Sequence, residues 1–262
     1  MEWVPFVFID AVCHQLRKQT FKQISELSAG WSTFGAEHGE KRREFTFSCR
    51  VDGKESSYSI KHRNSRTKVV VADLNLEFDR ITWVNCNSTD QLRNRITLEE
   101  LKRDVLPTVA SLAANCYWPC MTHLTPQQNR FFFNAFKNCP GFSNITVPEQ
   151  GQESRDFVAR QVELGSVEML NLYARRQSIN WPEPEILAKT LKTFVNSGRF
   201  HRLTYDLSLP TDIELFELFL ERAIAGELKR GACISMDNIS LEKSQRICAL
   251  HQECRENRKK LA

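Results

Sequence analysis

None of the short motifs that announce common enzyme chemistry occurs in this 262-residue chain: it has no GxxxxGK phosphate loop, no dinucleotide fingerprint, no HExxH and no GxSxG. On that ground the chain reads as a non-enzyme, with no cofactor and no metal. It also lacks any apolar run near the ~20 residues a membrane helix requires, so with 41% hydrophobic and 26% charged residues it reads as a soluble globular protein. A strong charge of one sign is missing too: 36 basic against 32 acidic residues leave +4, which gives only weak attraction to polyanions. The nine cysteines are odd in number and lack the dense spacing of a disulfide scaffold, which points to reduced thiols in the cytoplasm or nucleus. The apolar start Trp3 to Ile9 is preceded by Glu2 and ended by Asp10 without a basic flank, so it does not read as an export signal.

What is present falls into three textures. From Val4 to Trp31, apolar residues at Ile9, Val12, Leu16, Phe21, Ile24 and Leu27 recur at mostly helical spacing, with Pro5 suited to a first turn and Thr20 to a cap. Two short helices and the start of a third are expected there, with Leu16, Ile24 and Leu27 as their core. Arg43 to Cys86 changes period: Phe45, Phe47 and Cys49 alternate with polar residues, and Val51-Asp52-Gly53-Lys54 supplies a hairpin turn before Tyr58 and Ile60. Lys68 to Val71 and Ile81 to Val84 read as further strands, and Thr97-Leu98-Glu99-Glu100 as a helix cap ahead of Leu101, Val105 and Val109.

Beyond Leu124 helices and short strands alternate. Helix starts are expected at Thr125-Pro126, near Ser154, at Pro182 to Pro184 and at Thr211-Asp212. Strand phrases follow at Gly141 to Val147, Val167 to Leu172, Phe200 to Tyr205 and, more faintly, Leu228 to Cys233. The step of roughly 25–33 residues between them lies near the unit length of leucine-rich solenoids. That repeat predicts Val167–Leu172 and Phe200–Tyr205 as neighbouring parallel strands, with Leu170 and Leu203 buried.

The N-terminal run Val4-Pro5-Phe6-Val7-Phe8-Ile9-Asp10-Ala11-Val12-Cys13-His14-Gln15-Leu16, followed by Phe21, Ile24, Leu27 and a closing Trp31, resembles an F-box. It departs from that motif at Val4, at Phe6-Val7 and at Thr20. Together with Lys41-Arg42-Arg43 and Trp181-Pro182, the chain resembles the large, divergent F-box-associated families of nematodes. The resemblance implies an α+β chain with an F-box-like helical segment at 1–35 and an F-box-associated interaction domain at 43–262. That domain would hold a β-hairpin region and then leucine-rich-repeat-like helix-strand units. It also implies a ubiquitin-ligase substrate receptor that docks a Skp-type adaptor of a cullin-RING ligase and selects an unknown client protein. The adaptor-facing residues would be Pro5, Phe6, Phe8, Ile9 and Val12.

Two other readings stay open. One is an interaction domain whose F-box has decayed. The other is a nucleic-acid binder using the basic run Lys61 to Lys68 with Lys41-Arg42-Arg43, although Glu37, Glu40, Glu44, Asp52 and Glu55 dilute that charge. Cys116 and Cys120 with His123 come nearest to a metal cluster but lack a second cysteine pair, and Cys13-His14 point about 100° apart on a helix. His38, His62, His201 and His251 have no partner that spacing identifies.

Overall fold

A computed structural model describes residues 4–16, 18–27, 29–53, 55–65, 67–86, 92, 94–119, 124–149, 151–174, 184–205, 212–236 and 241–261. Cys120, His123, Trp181, Pro182 and Thr211 lie outside the described residues, as do Asn87 and Ser88. The chain is α+β, about half helical, and its strands pair mostly in parallel. Two compact units make it up: residues 1–128 with 139–143, and residues 129–138 with 144–262.

The first unit opens with helices α1 (Phe6–Gln15), α2 (Phe21–Ile24) and α3 (Ala29–Lys41). Pro5 caps α1, where its missing N–H costs nothing. Thr20 makes no side-chain cap to α2, because a 3₁₀ turn at Lys18–Thr20 already places it in helical backbone. Ile9, Cys13 and Phe21 form the buried centre, with Val4, Leu16, Trp31 and Phe34 packed on it. Gly35 lets α2 lie directly on α3, since a Cβ there would stand 2.8 Å from Ile24 Cγ2 and 3.1 Å from the Ser25 backbone nitrogen. Leu27, expected in this core, is instead exposed: the short α2 ends at Ile24 and turns it outward.

The hairpin follows as β1 (Glu44–Asp52) and β2 (Glu55–His62), joined through Gly53 at φ +62°. Phe45, Phe47 and Cys49 face one side and are buried. The expected strand at Lys68 to Val71 shrinks to β3 (Lys68–Val69), because the Asp73 carboxylate accepts from the Val70 N–H at 3.1 Å and folds Val71–Asp73 into a 3₁₀ turn. β4 (Arg80–Cys86) pairs in parallel with β1, and β5 (Asn94–Thr97) antiparallel with β2.

Thr97 begins a helix through a reciprocal cap: the Glu100 N–H donates to Thr97 Oγ1 at 3.2 Å and the Thr97 N–H to Glu100 Oε2 at 2.8 Å. α4 (Leu98–Glu100) runs through a π-turn at Leu101–Val105 into α5 (Leu106–Leu112). Pro107 has no N–H for the carbonyl of Arg103 and its ring crowds that carbonyl, which opens the helix by one residue. β6 (Ala113–Pro119) then pairs with β4. Its Ala-Ala-Asn start has helical rather than strand propensity, so only the pairing makes it a strand.

In the second unit, α6 (Pro126–Phe136), α7 (Gln152–Glu163), α8 (Pro184–Val195), α9 (Asp212–Ile224) and α10 (Leu241–Leu261) alternate with β7 (Phe142–Glu149), β8 (Met169–Ala174), β9 (Arg202–Tyr205) and β10 (Cys233–Met236). The strands β7 to β10 are parallel neighbours in chain order, with Ile145 opposite Leu170, Leu170 opposite Leu203, and Leu203 opposite Ile234. Leu170 and Leu203 are buried as expected, and Leu172 and Tyr205 also lie on strands. Two starts differ. α7 begins at Gln152 after Gly151 at φ +97°, while Ser154 Oγ donates to the Gly151 carbonyl at 2.8 Å instead of capping. The last strand begins only at Cys233, because Gly226 and Gly231 hold positive φ in turns before it.

Five described cysteines, Cys13, Cys49, Cys86, Cys116 and Cys139, are buried and unbridged. Burial pushes the Cys86 and Cys116 thiols well up, and that of Cys139 from 9.0 up to about 11. The sign follows from linkage: a thiol harder to ionise when folded adds stability that is intact below pH 9.0 and is lost as the pH climbs to about 11. Urea unfolding at pH 8 and at pH 11 should therefore show wild type losing on the order of 2–3 kcal/mol more than Cys139→Ala. Equal losses in the two proteins would refute the buried state of this thiol.

Candidate functional site

The docking face expected at the N-terminus divides into inward and outward sides along α1. Residues Ile9 and Cys13, four apart, point into the helical core, while the other side of the same turns is open. Phe6 is 66% exposed, Val7 82% and Phe8 55%, whereas Ile9 is 2% exposed. Pro5 is exposed and Val12 half-buried. Ile9 thus leaves the expected docking set and joins the core, because a helix that buries Cys13 must also bury the residue one turn before it. The Phe6 ring rests on Phe34 of α3 with centroids 5.7 Å apart, so one side of it is anchored.

A polar clamp holds this helix in place. The Asp10 carboxylate accepts from His14 Nε2 at 3.0 Å and from His38 Nε2 at 2.8 Å, joining α1 to α3. His38 is buried, stacked on Phe21 and edge-on to Phe78 and His14. The i, i+4 spacing of Asp10 and His14 was legible in the sequence; the arrival of His38 from α3 was not.

Asp10, His14 and His38 also place three potential metal-ligand atoms within 4.8 Å of one another. The tautomer argues against a metal. With Nε2–H donating to Asp10, His38 Nδ1 carries only a lone pair, and that atom is buried without a partner. A metal on Nε2 would move the proton to Nδ1, where no acceptor meets it, whereas ligating histidines normally donate from their second nitrogen. The buried Arg80 also feels the charge of Asp10, so a cation is already near. The cluster is a hydrogen-bonded clamp.

Three further side chains seize the other end of α1, where the last carbonyls have no helical partner. Arg42 Nη1 donates to the Cys13 carbonyl at 2.9 Å and Nη2 to that of His14 at 3.0 Å. Arg80 Nε reaches the His14 carbonyl at 3.4 Å, and Asn115 Nδ2 the Gln15 carbonyl at 2.5 Å. Both guanidiniums are buried, and desolvation pulls each down to about 10, which still leaves them charged at neutral pH.

No protein-family model matches the chain, and no curated protein matches it. Its function must therefore be argued from the residues. Of the expected basic run, Arg66 lies outside the described residues, while Lys61, His62, Arg63 and Lys68 line a cleft on the first unit. Cys116 and Trp118 are buried on β6, and Cys13 is buried beside a half-exposed His14 whose Nε2 is engaged by Asp10, which leaves no nucleophile–base pair at Cys13-His14.

Substitutions should separate the two sides of α1. Ile9→Ala should cost about 2–5 kcal/mol through the cavity it leaves, and Arg42→Ala at least about 1.5–3 kcal/mol through orphaned carbonyls. Phe8→Asp should stay within roughly 0.5 kcal/mol of wild type, as at a solvated surface site. Thermal or urea unfolding reads all three; a large loss in Phe8→Asp would show that Phe8 belongs to the core.

Proposed function

We propose that the chain is the substrate-recognition subunit of a Skp-cullin-F-box type ubiquitin ligase, docking a Skp-type adaptor through α1–α3. The run from α6 to β10, taken as leucine-rich-repeat-like units, binds the client protein. The reading rests on the resemblance of residues 4–31 to an F-box and is supported by one observation above the others: Phe6, Val7 and Phe8 are consecutive, large and mostly exposed. Solvent exposure of three adjacent apolar side chains on a helix whose other face is core has a cost that an apolar partner surface removes. The clamp of Asp10 and the capping of Cys13, His14 and Gln15 fix that helix before any partner arrives, which lowers the ordering cost of docking.

A receptor of this kind contributes no nucleophile. It holds a client lysine near a charged ubiquitin carrier and so replaces a bimolecular encounter by a local one. Val12 and Ile9 support the docking face from beneath, and Pro5, Phe6 and Phe8 meet the adaptor.

The test is co-purification of the full chain with a Skp-type adaptor. Wild type should co-elute, Phe8→Asp should lose at least about tenfold in affinity through a desolvated, unpaired charge, and its melting temperature should stay unchanged. Absence of co-elution by a folded wild-type chain rejects the receptor reading and leaves an interaction domain without adaptor docking.

A further inference from the structure

The first unit carries a second concave site, on the sheet face opposite Phe45, Phe47 and Cys49. It is a cleft of about 430 Å³ between β1, β2, β4 and the β2–β3 turn. Lys61, His62, Arg63 and Lys68 line one wall, and among the described residues no carboxylate lines it. Ser48, itself buried, and Asn85 lie opposite each other in register on β1 and β4 and supply polar groups from the sheet.

Several features fix the donors in advance. The backbone closes the turn with the His62 N–H on the Thr67 carbonyl at 3.0 Å and the Arg63 N–H on the Glu44 carbonyl at 2.8 Å. The His62 ring packs edge-on to Phe45 at 5.4 Å, on the other side of the sheet, and its Nδ1 accepts from the Asn64 N–H at 3.3 Å, which holds the turn. Ser65 Oγ accepts from the Thr67 N–H at 3.2 Å and keeps its own O–H to give. Arg63 meets Glu44 only at 3.7 Å and so retains donors for a nearer anion. The Asn85 Oδ1 is buried with no hydrogen-bond partner, an unfilled position on the cleft floor. A carboxamide turned either way meets a phosphate, accepting from a P–OH through oxygen or donating to a P–O⁻ through nitrogen.

We propose that this cleft binds a phosphate monoester group. The cations of Lys61, Arg63 and Lys68, with the hydroxyls of Thr46 and Ser48 on β1 and of Ser65 in the turn, match a compact dianion with oxygens on every side. A nucleic-acid strand fits less well, because it needs cations spread along a track with aromatic platforms, and here they converge at one hairpin with no Phe, Tyr or Trp among the lining residues. The inference is independent of adaptor docking, whose residues lie on α1.

The experiment uses lysine acetylation footprinting and calorimetry on the full wild-type chain, with inorganic phosphate, O-phosphoserine, serine and a single-stranded oligonucleotide as probes. Phosphate or O-phosphoserine should bind saturably and protect Lys61 and Lys68, but not the exposed control Lys102, from acetylation; serine should do neither. Tighter binding of O-phosphoserine assigns a phosphorylated side chain as the source, and tighter binding of inorganic phosphate assigns a free anion. Arg63→Gln and Lys68→Gln should each weaken binding by about tenfold, and Lys102→Gln should not. Overturning results are equal protection of all three lysines, no protection, or a cleft-dependent preference for the oligonucleotide. Because footprinting is done on wild type, a variant that fails to fold does not remove the test.

Discussion

Three carbonyls at the end of one short helix tie the N-terminal module to its sheet. The carbonyls of Cys13, His14 and Gln15 receive N–H groups from Arg42 after α3, Arg80 at the start of β4 and Asn115 on β6. Helix-terminal carbonyls carry partial negative charge, so guanidiniums are favoured partners, and Arg42 meets them with both terminal nitrogens while its Nε stays buried without a partner. Arg80 spends its remaining donors on the carbonyls of Leu76, Glu77 and Asp79, while the buried Asp79 holds Arg43 by a two-pronged bond of 2.7 and 2.6 Å. The helices and the sheet are therefore joined by directional bonds that set α1 in one orientation, and apolar packing around Ile9 and Phe21 fills the space those bonds define.

The same device recurs in the second unit. Gln161 of α7 donates to the carbonyls of Phe136 and Lys137 at the end of α6, and Arg222 of α9 donates to those of Val195 and Ser197 at the end of α8. Each helix end is closed by a later helix, which fixes spacing along the parallel strands better than the non-directional contacts of Phe133 with Phe157 or Phe194 with Phe200. Tyr205 on β9 donates to the buried Asp212 at the start of α9, and Lys243 of α10 meets the same carboxylate. An acidic residue in a first helical turn is favoured by the helix dipole and here also anchors two neighbouring elements.

The two proposed surfaces draw on this rigidity in different ways. On α1 the clamp leaves an exposed apolar row with no freedom to rotate inward, which suits an apolar partner. On the sheet, the tight β2–β3 turn gathers charges that sequence order alone would leave as a solvated run.

Much of the fold is legible in local chemistry. The alternation at Phe45, Phe47 and Cys49, the Gly53 turn, the Thr97–Glu100 cap, and the pairing of Leu170 with Leu203 depend on neighbours in sequence or on a repeating apolar phrase, so one chain suffices to read them. β6 was not legible, because Ala113-Ala114-Asn115 becomes a strand only by pairing with β4. Leu27 was expected inside and lies exposed, and Ile9 was expected on the docking face and lies buried, because inward and outward sides of a helix are assigned by what packs beside it. His38 and Arg42 looked like a lone histidine and a solvated cation until α3 brought them to Asp10 and to the end of α1. Likewise the basic run was visible as charge, but its concavity arises only where several elements meet. The sequence by itself determined the hairpin turn at Gly53, the helix start at Thr97 and the buried alternation of β1, since caps, glycines and periodicity act within a few residues. Which polar groups find one another was decided only by the tertiary structure, because a hydrogen bond depends on distance and direction between residues that the chain order keeps far apart.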